Sequence, residues 1–542
     1  MLLNRRHTLG LFGATAGTLV LPRHGRAEAR RSITIAVQKI SNNNTLDIWH
    51  EQSNVGERVF FPNLWEGLIL RDWMGNQGPV PGLATEWKRL DDRTLELRLR
   101  EGVRFHNGDE MTADDVVFSF SDERVFAGTE PAGGKTIYAE DFKPQSAKEL
   151  PASVPGTGRR LWPALRGVEA VDRYTVRFHN ATPDVTLEGR LMAHGSQITS
   201  RRAWDEAETY ADWARKPVTT GAFRVEEYRP DVSLTLVAFD DYWGGRPALE
   251  RIRFVEVPEV ASRVNGLLSG EYDFACDLPP DQIATVMAAP GLEVQSSTIW
   301  NHRVTVFNTQ NAIMADPLVR RAMTHAIDRE AIVEALWGGQ TGIPAGLQFE
   351  SYVSADMFID GWKVPDYDPD LARDLLRQAG YKGDAIPYFL LNNYYTNQTA
   401  TGQILTEMWR QAGLNIEIQM KENWSQIFEG EGTRGLRDWS ASNTINDPIT
   451  PMVSQFGPNG QAQQYREWSN AELNQLSQVL ETSTDRALRK RSFARMLEIA
   501  EREDPVYTVL HQNAVFTGMK SELKWKAAPA FAMDFRASNW TI

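Results

Sequence analysis

Helix and strand patterns alternate along this chain, and in its second half a helix pattern passes directly into a strand pattern. Residues 404–409 place apolar side chains at helical spacing, Gly413 is suited to end the helix, and residues 414–420 alternate apolar and polar side chains as a strand does. A helix that leads into a strand is half of a β-α-β unit, the connection that builds parallel sheets. We therefore expect residues 300–500 to form an α/β lobe.

The boundaries of several elements are also marked. Asp316-Pro317 and Asp368-Pro369 each place a capping carboxylate before a proline at the first helical position, which predicts two helix starts. In the first half, residues 94–100 alternate strictly, so the leucines at alternate positions are expected to face a core. Residues 32–260 carry more strand signals than the second half.

Length, charge and cysteine content narrow the class of protein. A chain of 542 residues exceeds the roughly 250–300 residues at which one core usually divides, so two or three structural units are expected. The net charge of −13 repels phosphate backbones, and nucleic acid is not an expected partner. Cys276 is the one cysteine, which excludes an internal disulfide and a thiolate-rich metal site.

The first 29 residues have the pattern of a cleaved signal peptide. Arg5 and Arg6 precede an uncharged apolar stretch over 9–21 that is too short to span a bilayer, and Ala27-Glu28-Ala29 offers a small-residue cleavage site. The paired arginines followed by Leu9 favour twin-arginine export, and an ordinary secretory signal remains the alternative. Either route predicts a periplasmic protein.

A periplasmic hydrolase is the rival class of protein. The chain has no Gly-x-Ser-x-Gly elbow, no Ser-x-x-Lys with Lys-Thr-Gly, and no His-Glu-x-x-His. Its nine histidines do not fall at metal-ligand spacing. We therefore predict no catalytic residue, no metal site and no cofactor.

Several motifs follow one another in a recognisable order. Residues 81–87, 94–108 and 111–119 form the longest block, and Phe307-Asn308-Thr309, 316–329 and 367–381 continue it. This order resembles the family 5 extracellular solute-binding proteins, the dipeptide, oligopeptide and nickel receptors of ABC importers. The resemblance extends over residues 33–542.

The resemblance implies an α/β, two-lobe periplasmic-binding-protein (Venus-flytrap) fold with an extra domain inserted in the first lobe. It also implies a monomeric binding protein that encloses its ligand between the lobes and delivers it to permease subunits in the inner membrane. The expected division is a signal peptide at 1–29, a first lobe at 30–75 and 216–298, an inserted strand-rich domain at 76–215, a second lobe at 299–500, and a return to the first lobe at 501–542.

The ligand class is less narrowly predicted. In peptide-binding relatives, an aspartate four residues before a proline holds the α-ammonium of the peptide, and the matching position here is Thr444, before Pro448. Peptides are the first-ranked ligand class, opines or oligosaccharides are the second, and nickel is the third. Heme and glutathione remain open alternatives. The residues predicted to contact ligand are Asn43, Asn44, Trp300, His302, Trp424, Trp439, Asn443, Thr444 and Asp447.

Overall fold

The computed structural model of the protein describes residues 31–540 except 52, 62, 76, 128–147, 354, 393 and 430–431. The predicted signal peptide at 1–29 lies outside the described residues. Within them the strands, in chain order, are β1 (Arg31–Val37), β2 (Ile69–Arg71), β3 (Pro79–Pro81), β4 (Ala84–Arg89), β5 (Thr94–Leu99), β6 (Leu165–Asp172), β7 (Thr175–Asn180), β8 (Phe223–Arg229), β9 (Ser233–Ala238), β10 (Leu249–Glu256), β11 (Phe274–Ala275), β12 (Leu292–Phe307), β13 (Ile386–Leu391), β14 (Ile416–Lys421), β15 (Leu436–Ser442) and β16 (Tyr507–Lys520).

Helices connect these strands and cover their faces. In the described residues the α-helices are α1 (Asn54–Phe60), α2 (Ala113–Ser119), α3 (Ser153–Leu161), α4 (Leu187–Leu191), α5 (Arg201–Glu206), α6 (Tyr210–Arg215), α7 (Val260–Ser269), α8 (Pro280–Met287), α9 (Pro317–His325), α10 (Arg329–Trp337), α11 (Pro369–Gln378), α12 (Gln398–Gln411), α13 (Trp424–Phe428), α14 (Ser454–Phe456), α15 (Gln461–Gln464), α16 (Ala471–Thr482) and α17 (Arg486–Glu498). Single turns of π-helix lie at Asp122–Phe126, Ile449–Val453 and Ile499–Glu503, and a 3₁₀ turn lies at Glu350–Val353.

One ten-stranded sheet runs through the molecule in the order β14-β13-β15-β12-β16-β11-β1-β10-β9-β8. The long strands β12 and β16 are antiparallel neighbours at its centre, and their register shifts between Thr298 and His302. On the side of the shift that holds the start of β12, β16 also pairs with β11. On the other side, β12 pairs with β15. The two long strands therefore join two halves of the sheet, and the irregularity at 299–301 lies where the halves meet.

Each half has its own hydrophobic core. The first draws on residues 33–276 and 519–540, whereas the cores of the second draw almost entirely on residues 304–510. A separate antiparallel sheet, β4-β5-β7-β6, packs its buried Leu95 and Leu97 into the first core. This sheet lies within the expected inserted domain at 76–215. The limits of that domain remain a prediction.

The capping patterns account for the helix starts and ends. Asp316 and Asp368 accept hydrogen bonds from the backbone N–H groups of Leu318 and Leu371, as N-caps do. Gly338 ends α10 in the left-handed conformation, with φ of 54°. The β13-α12-β14 segment is a complete β-α-β unit with parallel strands.

Candidate functional site

A cleft lies between the two halves of the sheet, where the carboxyl ends of parallel strands meet. β13 is parallel to both β14 and β15. The chain just past the carboxyl ends of these three strands carries Tyr394, Trp424 and Thr444. Across the cleft, the loop after β1 carries Asn43. Open α/β sheets bind ligands in the crevice outside the carboxyl ends of their strands.

The wide part of this space, the main cleft, holds about 1550 Å³ including the space open to solvent. Its second-half wall is aromatic. Trp424 stands perpendicular to Trp439, with ring centroids 4.9 Å apart, and Tyr394 meets Trp424 at 5.1 Å. The Trp439 ring nitrogen donates to Gln455 Oε1 at 3.0 Å. Half-buried aromatic faces beside amides and hydroxyls suit a polar organic ligand.

A second space, the inner cavity, adjoins the main cleft and holds about 510 Å³ including the space open to solvent. The two spaces share Glu57, His194, Ser442 and Thr444 as lining residues. Further walls of the inner cavity are Arg71, Trp73, Trp300 and Asn443. A ligand that fills both spaces is therefore in contact with both halves of the molecule.

Glu57 on α1 is a carboxylate without a salt bridge or a side-chain hydrogen bond among the described residues. Burial raises its pKa to about 7, against the opposing charges of Arg71 and Arg58. Arg58 is already held by Asp277, with Nη2 2.6 Å from Oδ1. The Glu57 side chain therefore reaches the cleft close to the point of ionisation at neutral pH, with no cation bound to it.

Arg71, the last residue of β2, is a buried cation that crosses the cleft. Its Nη2 donates to the backbone carbonyl oxygen of Thr444, on the opposite half. The guanidinium carbon also lies 5.3 Å from the Trp73 ring centroid. Nε has no hydrogen-bond partner, and burial lowers the Arg71 pKa to about 10, so the group keeps its charge at neutral pH.

Arg160 and His194 are two of the other titratable groups that line the cleft. Arg160, at the end of α3, is half-buried, and burial lowers its pKa. Burial also lowers the pKa of His194 to about 4, and its Nε2 lies 3.0 Å from the carbonyl oxygen of Ile48. His194 is therefore neutral at physiological pH, and the other ionisable side chains that line the inner cavity are those of Glu57 and Arg71.

Six of the nine residues predicted from sequence to bind ligand line this space. The main cleft contains the first-half residue Asn43, and both spaces contain Thr444. The full set that the structure brings together is Asn43, Trp300, Trp424, Trp439, Asn443 and Thr444. Their role in binding remains a prediction.

The other three predicted residues point elsewhere. Asn44 is exposed, and its amide donates to Asp231 at 3.2 Å. His302 is buried and stacks on Phe349 with centroids 4.0 Å apart. Asp447 is buried in a two-point ion pair with Arg489, at 2.9 and 2.8 Å. Loop position and residue type placed these three in the site, but their partners draw the side chains away from the cleft.

Asp438 does not replace the acid missing at Thr444. It is buried beside Arg303, Tyr388 and Gln398, all of which bind its carboxylate. The acid that does face the inner cavity is Glu57, far away in sequence.

Sequence reasoning missed Glu57, Arg71, Tyr394 and Tyr395. The tyrosine pair had a usable signal, because it follows β13 directly and loops at carboxyl ends of parallel strands line such clefts. No sequence signal marked Glu57 or Arg71 as site residues, because each is one of many charged residues on a short element.

Two negative findings concern the described ranges only. No group of three or more His, Cys, Asp or Glu side chains there is placed to hold a metal ion. Nor does any helix in these ranges have the length and apolar character needed to cross a bilayer.

Comparison with known proteins gives consistent results. The dipeptide-binding protein of Escherichia coli (strain K12) is 24% identical over 473 residues, covering 83% of this chain and 84% of that protein. Heme-binding protein A of Haemophilus influenzae is 25% identical over 493 residues, covering 85% and 84%. The crystal structure of a dipeptide-binding protein from Pseudoalteromonas sp. SM9913 in complex with Met-Leu superposes with a TM-score of 0.80, at 20% identity, covering 94% of this chain and 99% of that one.

The structural match confirms the expected two-lobe α/β fold. Residues 78–463 match the model of the bacterial extracellular solute-binding proteins, family 5. That match covers well over half of the chain and includes the motifs at 81–119 and 307–381. This chain therefore belongs to the family 5 bacterial extracellular solute-binding proteins.

Proposed function

We propose that this protein is the substrate-binding component of an ABC importer, and that it captures a peptide or a peptide-sized polar solute between its lobes. One observation carries the proposal: a single connected space is lined from both halves, by Glu57 and Arg71 on one side and by Trp300 and Thr444 on the other. A ligand that contacts both lobes only when they are closed stabilises the closed form. The permease then receives the ligand from that form.

The ligand class rests on relatives and on the lining together. Similar proteins include dipeptide-binding and di/tripeptide-binding proteins, which supports a peptide. The main cleft has room for more than a single amino acid, and its aromatic and amide side chains suit peptide groups. The absence of an acid at Thr444 and the hydroxyl-rich wall of Ser440, Ser442 and Thr450 favour the second candidate, an opine or an oligosaccharide.

The remaining parts of the proposal concern place and chemistry. The segment at 1–29 would direct export by the twin-arginine or the general route, and the protein would act in the periplasm as a monomer beside its permease. Binding would leave the solute unchanged, without a cofactor. Family membership and the lack of hydrolase motifs support this part.

A thermal-shift screen tests the proposal. Purified protein is heated with dipeptides, tripeptides, opines and oligosaccharides, and bound solute is recovered and weighed by mass spectrometry. A solute at 100 times its dissociation constant stabilises the folded state by about 2.7 kcal/mol, which gives a clear rise in melting temperature. A saturable rise with intact solute supports the proposal. Recovery of a cleaved product would instead identify a hydrolase.

A further inference from the structure

We infer that the contact of Gly189, in helix α4 of the first half, with Ile445 of the second half controls how far the two lobes close. This closure contact is made by protein atoms alone, and it reaches full closure because position 189 carries no side chain. Gly189 is therefore a positioning residue. Its effect on a bound solute rests on the proposed function, whereas the contact itself does not.

The first observation is how closely the two segments approach. A Cβ atom placed on Gly189 would lie 2.7 Å from the backbone carbonyl oxygen of Ile445 and 3.2 Å from the Ile445 Cβ atom. Cβ contacts shorter than 3.0 Å are essentially never found, so a side chain at position 189 forces the segments apart. Glycine is also an unfavourable residue within a helix. The need for glycine here therefore comes from the contact across the cleft rather than from α4 itself.

The second observation is that α4 is firmly held by the first half. Leu187 and Leu191 are at most 1% exposed and pack in the first core. Between them, Arg190 is buried, and its Nε donates to Asp184 Oδ2 at 2.8 Å. Movement of α4 away from Ile445 would disturb all of these contacts.

The segment that follows β15 is held by the second half in the same way. Ile445 is buried in the second core. Two positions later, Asp447 pairs with Arg489 and accepts a hydrogen bond from the backbone N–H of Ile449 at 3.1 Å. Ala193, just after α4, packs into that same core from the first half. Because both segments are anchored, parting of the lobes is the easier response to an added side chain at position 189.

The third observation is the position of the contact beside the inner cavity. Residues 192–194, directly after α4, line that cavity from the first half, and residues 442–444, directly before Ile445, line it from the second half. Formation of the closure contact brings these two sets of lining residues together. Gly189 lines neither the inner cavity nor the main cleft, so it acts on a solute only through the closing of the lobes.

A contact of this kind acts on the release of a solute more than on its capture. A solute enters the open form, in which the two segments are apart, and it leaves after the closed form has opened again. A side chain that holds the segments apart destabilises the closed form alone. The dissociation rate constant therefore rises while the association rate constant is retained. A merely structural role of Gly189 in folding would not divide the two rate constants in this way.

A disulfide across the closure contact tests it without any solute. The Cβ atoms of a disulfide lie about 3.5–4.5 Å apart, close to the 3.2 Å between the Cβ positions of residues 189 and 445. The purified double variant Gly189→Cys/Ile445→Cys is treated with diamide, which takes up the two hydrogens of the two thiols, and non-reducing electrophoresis follows the cross-linked fraction. We expect cross-linking at least ten times faster than in Leu268→Cys/Ile445→Cys. Leu268 is an exposed residue of α7 that lines neither space, and the buried Cys276 is common to both variants.

Gly189→Ala tests the effect of a side chain at this position. Its matched control is Gly156→Ala, because Gly156 is also helical, in α3, and an added Cβ there meets no atom within 4 Å. Alanine is the better helix former, so both variants should keep or raise the melting temperature without solute. Stopped-flow fluorescence with Met-Leu, octopine and cellotetraose then measures the rate constants. For a probe that binds, Gly189→Ala should raise the dissociation rate constant at least fivefold and keep the association rate constant within twofold, and Gly156→Ala should change neither.

The outcomes separate this inference from the function beneath it. Cross-linking no faster than in the Leu268 pair, or equal dissociation rate constants in the two alanine variants, would overturn the closure contact and leave the transport proposal intact. A lower melting temperature of Gly189→Ala with unchanged rate constants would overturn it as well, since Gly189 would then serve folding alone. If none of the three probes binds, the transport proposal loses support, and the comparison of cross-linking rates still decides the closure contact.

Discussion

The side chain of Arg71 in the first lobe donates a hydrogen bond to the backbone carbonyl oxygen of Thr444 in the second lobe. The two residues are 373 positions apart in the chain, and both line the inner cavity. A charged donor thus bridges the cleft directly, beside the register shift of β12 and β16 at which the halves of the sheet meet.

Removal of this bridge is expected to favour the open form. A hydrogen bond from a charged group is worth about 1.5 kcal/mol or more, so Arg71→Gln should lower the ratio of closed to open molecules about tenfold. Small-angle X-ray scattering without ligand measures the change as a larger radius of gyration. Arg100→Gln is the control, because Arg100 donates to Gly82, and both residues lie within the predicted inserted domain at 76–215. Superimposable curves for Arg71→Gln and wild type would contradict the bridge.

Glu57 should make the ligand-free protein less stable as pH rises. Its pKa is raised from 4.5 to about 7 by burial, so the folded state favours the protonated carboxyl. This stabilising contribution is complete below about pH 4.5 and is lost as pH rises through 7. Arg58 and Arg71 stay charged in this range, and His194, with a pKa of about 4, is neutral over most of it.

The size of that effect is measurable by urea unfolding between pH 5 and pH 8. Because part of the Glu57 side chain is open to the cleft, we expect the free energy of unfolding to fall by about 1–2 kcal/mol relative to Glu57→Gln. Glu330→Gln, at an exposed acid on α10, is the control and should retain the wild-type slope. Parallel pH profiles for wild type and Glu57→Gln would mean that Glu57 is not desolvated.

The perpendicular pair Trp424 and Trp439 should contribute to ligand affinity. Burial of a large aromatic side chain against a ligand is worth about 1.5–3 kcal/mol, so Trp424→Ala or Trp439→Ala should raise the dissociation constant about 10- to 100-fold. Isothermal titration calorimetry with the ligand found by the screen measures this change. Trp362→Ala provides the control, because Trp362 lies outside the cleft and donates to Glu501. Equal losses in all three variants would point to general destabilisation.

Asp447 is expected to stabilise the second lobe without contacting ligand. Asp447→Asn breaks a buried ion pair with Arg489, and the loss of one partner from such a pair costs about 3–5 kcal/mol. The melting temperature should fall while the dissociation constant, measured well below it, stays within twofold. The double variant Asp447→Leu/Arg489→Met should recover part of the stability, since no charge is then left unpaired. A tenfold weaker affinity in Asp447→Asn would restore Asp447 to the ligand site.

Local patterns predicted many elements well. Asp316 and Asp368 set helix starts through contacts within a few residues, and those starts are found as expected. The alternation at 94–100 predicted that Leu95, Leu97 and Leu99 are buried, and each is at most 1% exposed. Such features can be predicted from the sequence because helix capping and the spacing of buried side chains depend on residues that are close in the chain.

His302 and Asp447 show where local reasoning ends. Both have residue types suited to ligand binding and lie close in sequence to residues of the cleft wall. Their actual partners are Phe349 and Arg489, more than forty positions away, and those contacts turn the side chains into the core. A local sequence pattern does not show which distant side chain will contact a given polar side chain in the folded protein.

The sequence by itself determined the α/β character, several helix and strand limits, and membership of the solute-binding family, because these depend on periodicity, capping and ordered motifs. Only the tertiary structure decided that Glu57 and Arg71 face one cavity with Thr444 and Asn443, and that Asp438 is withdrawn beside Arg303. Charge pairing and cavity shape arise where distant segments meet, so the residues that line the cleft together become visible only once the sheet and its two lobes are assembled.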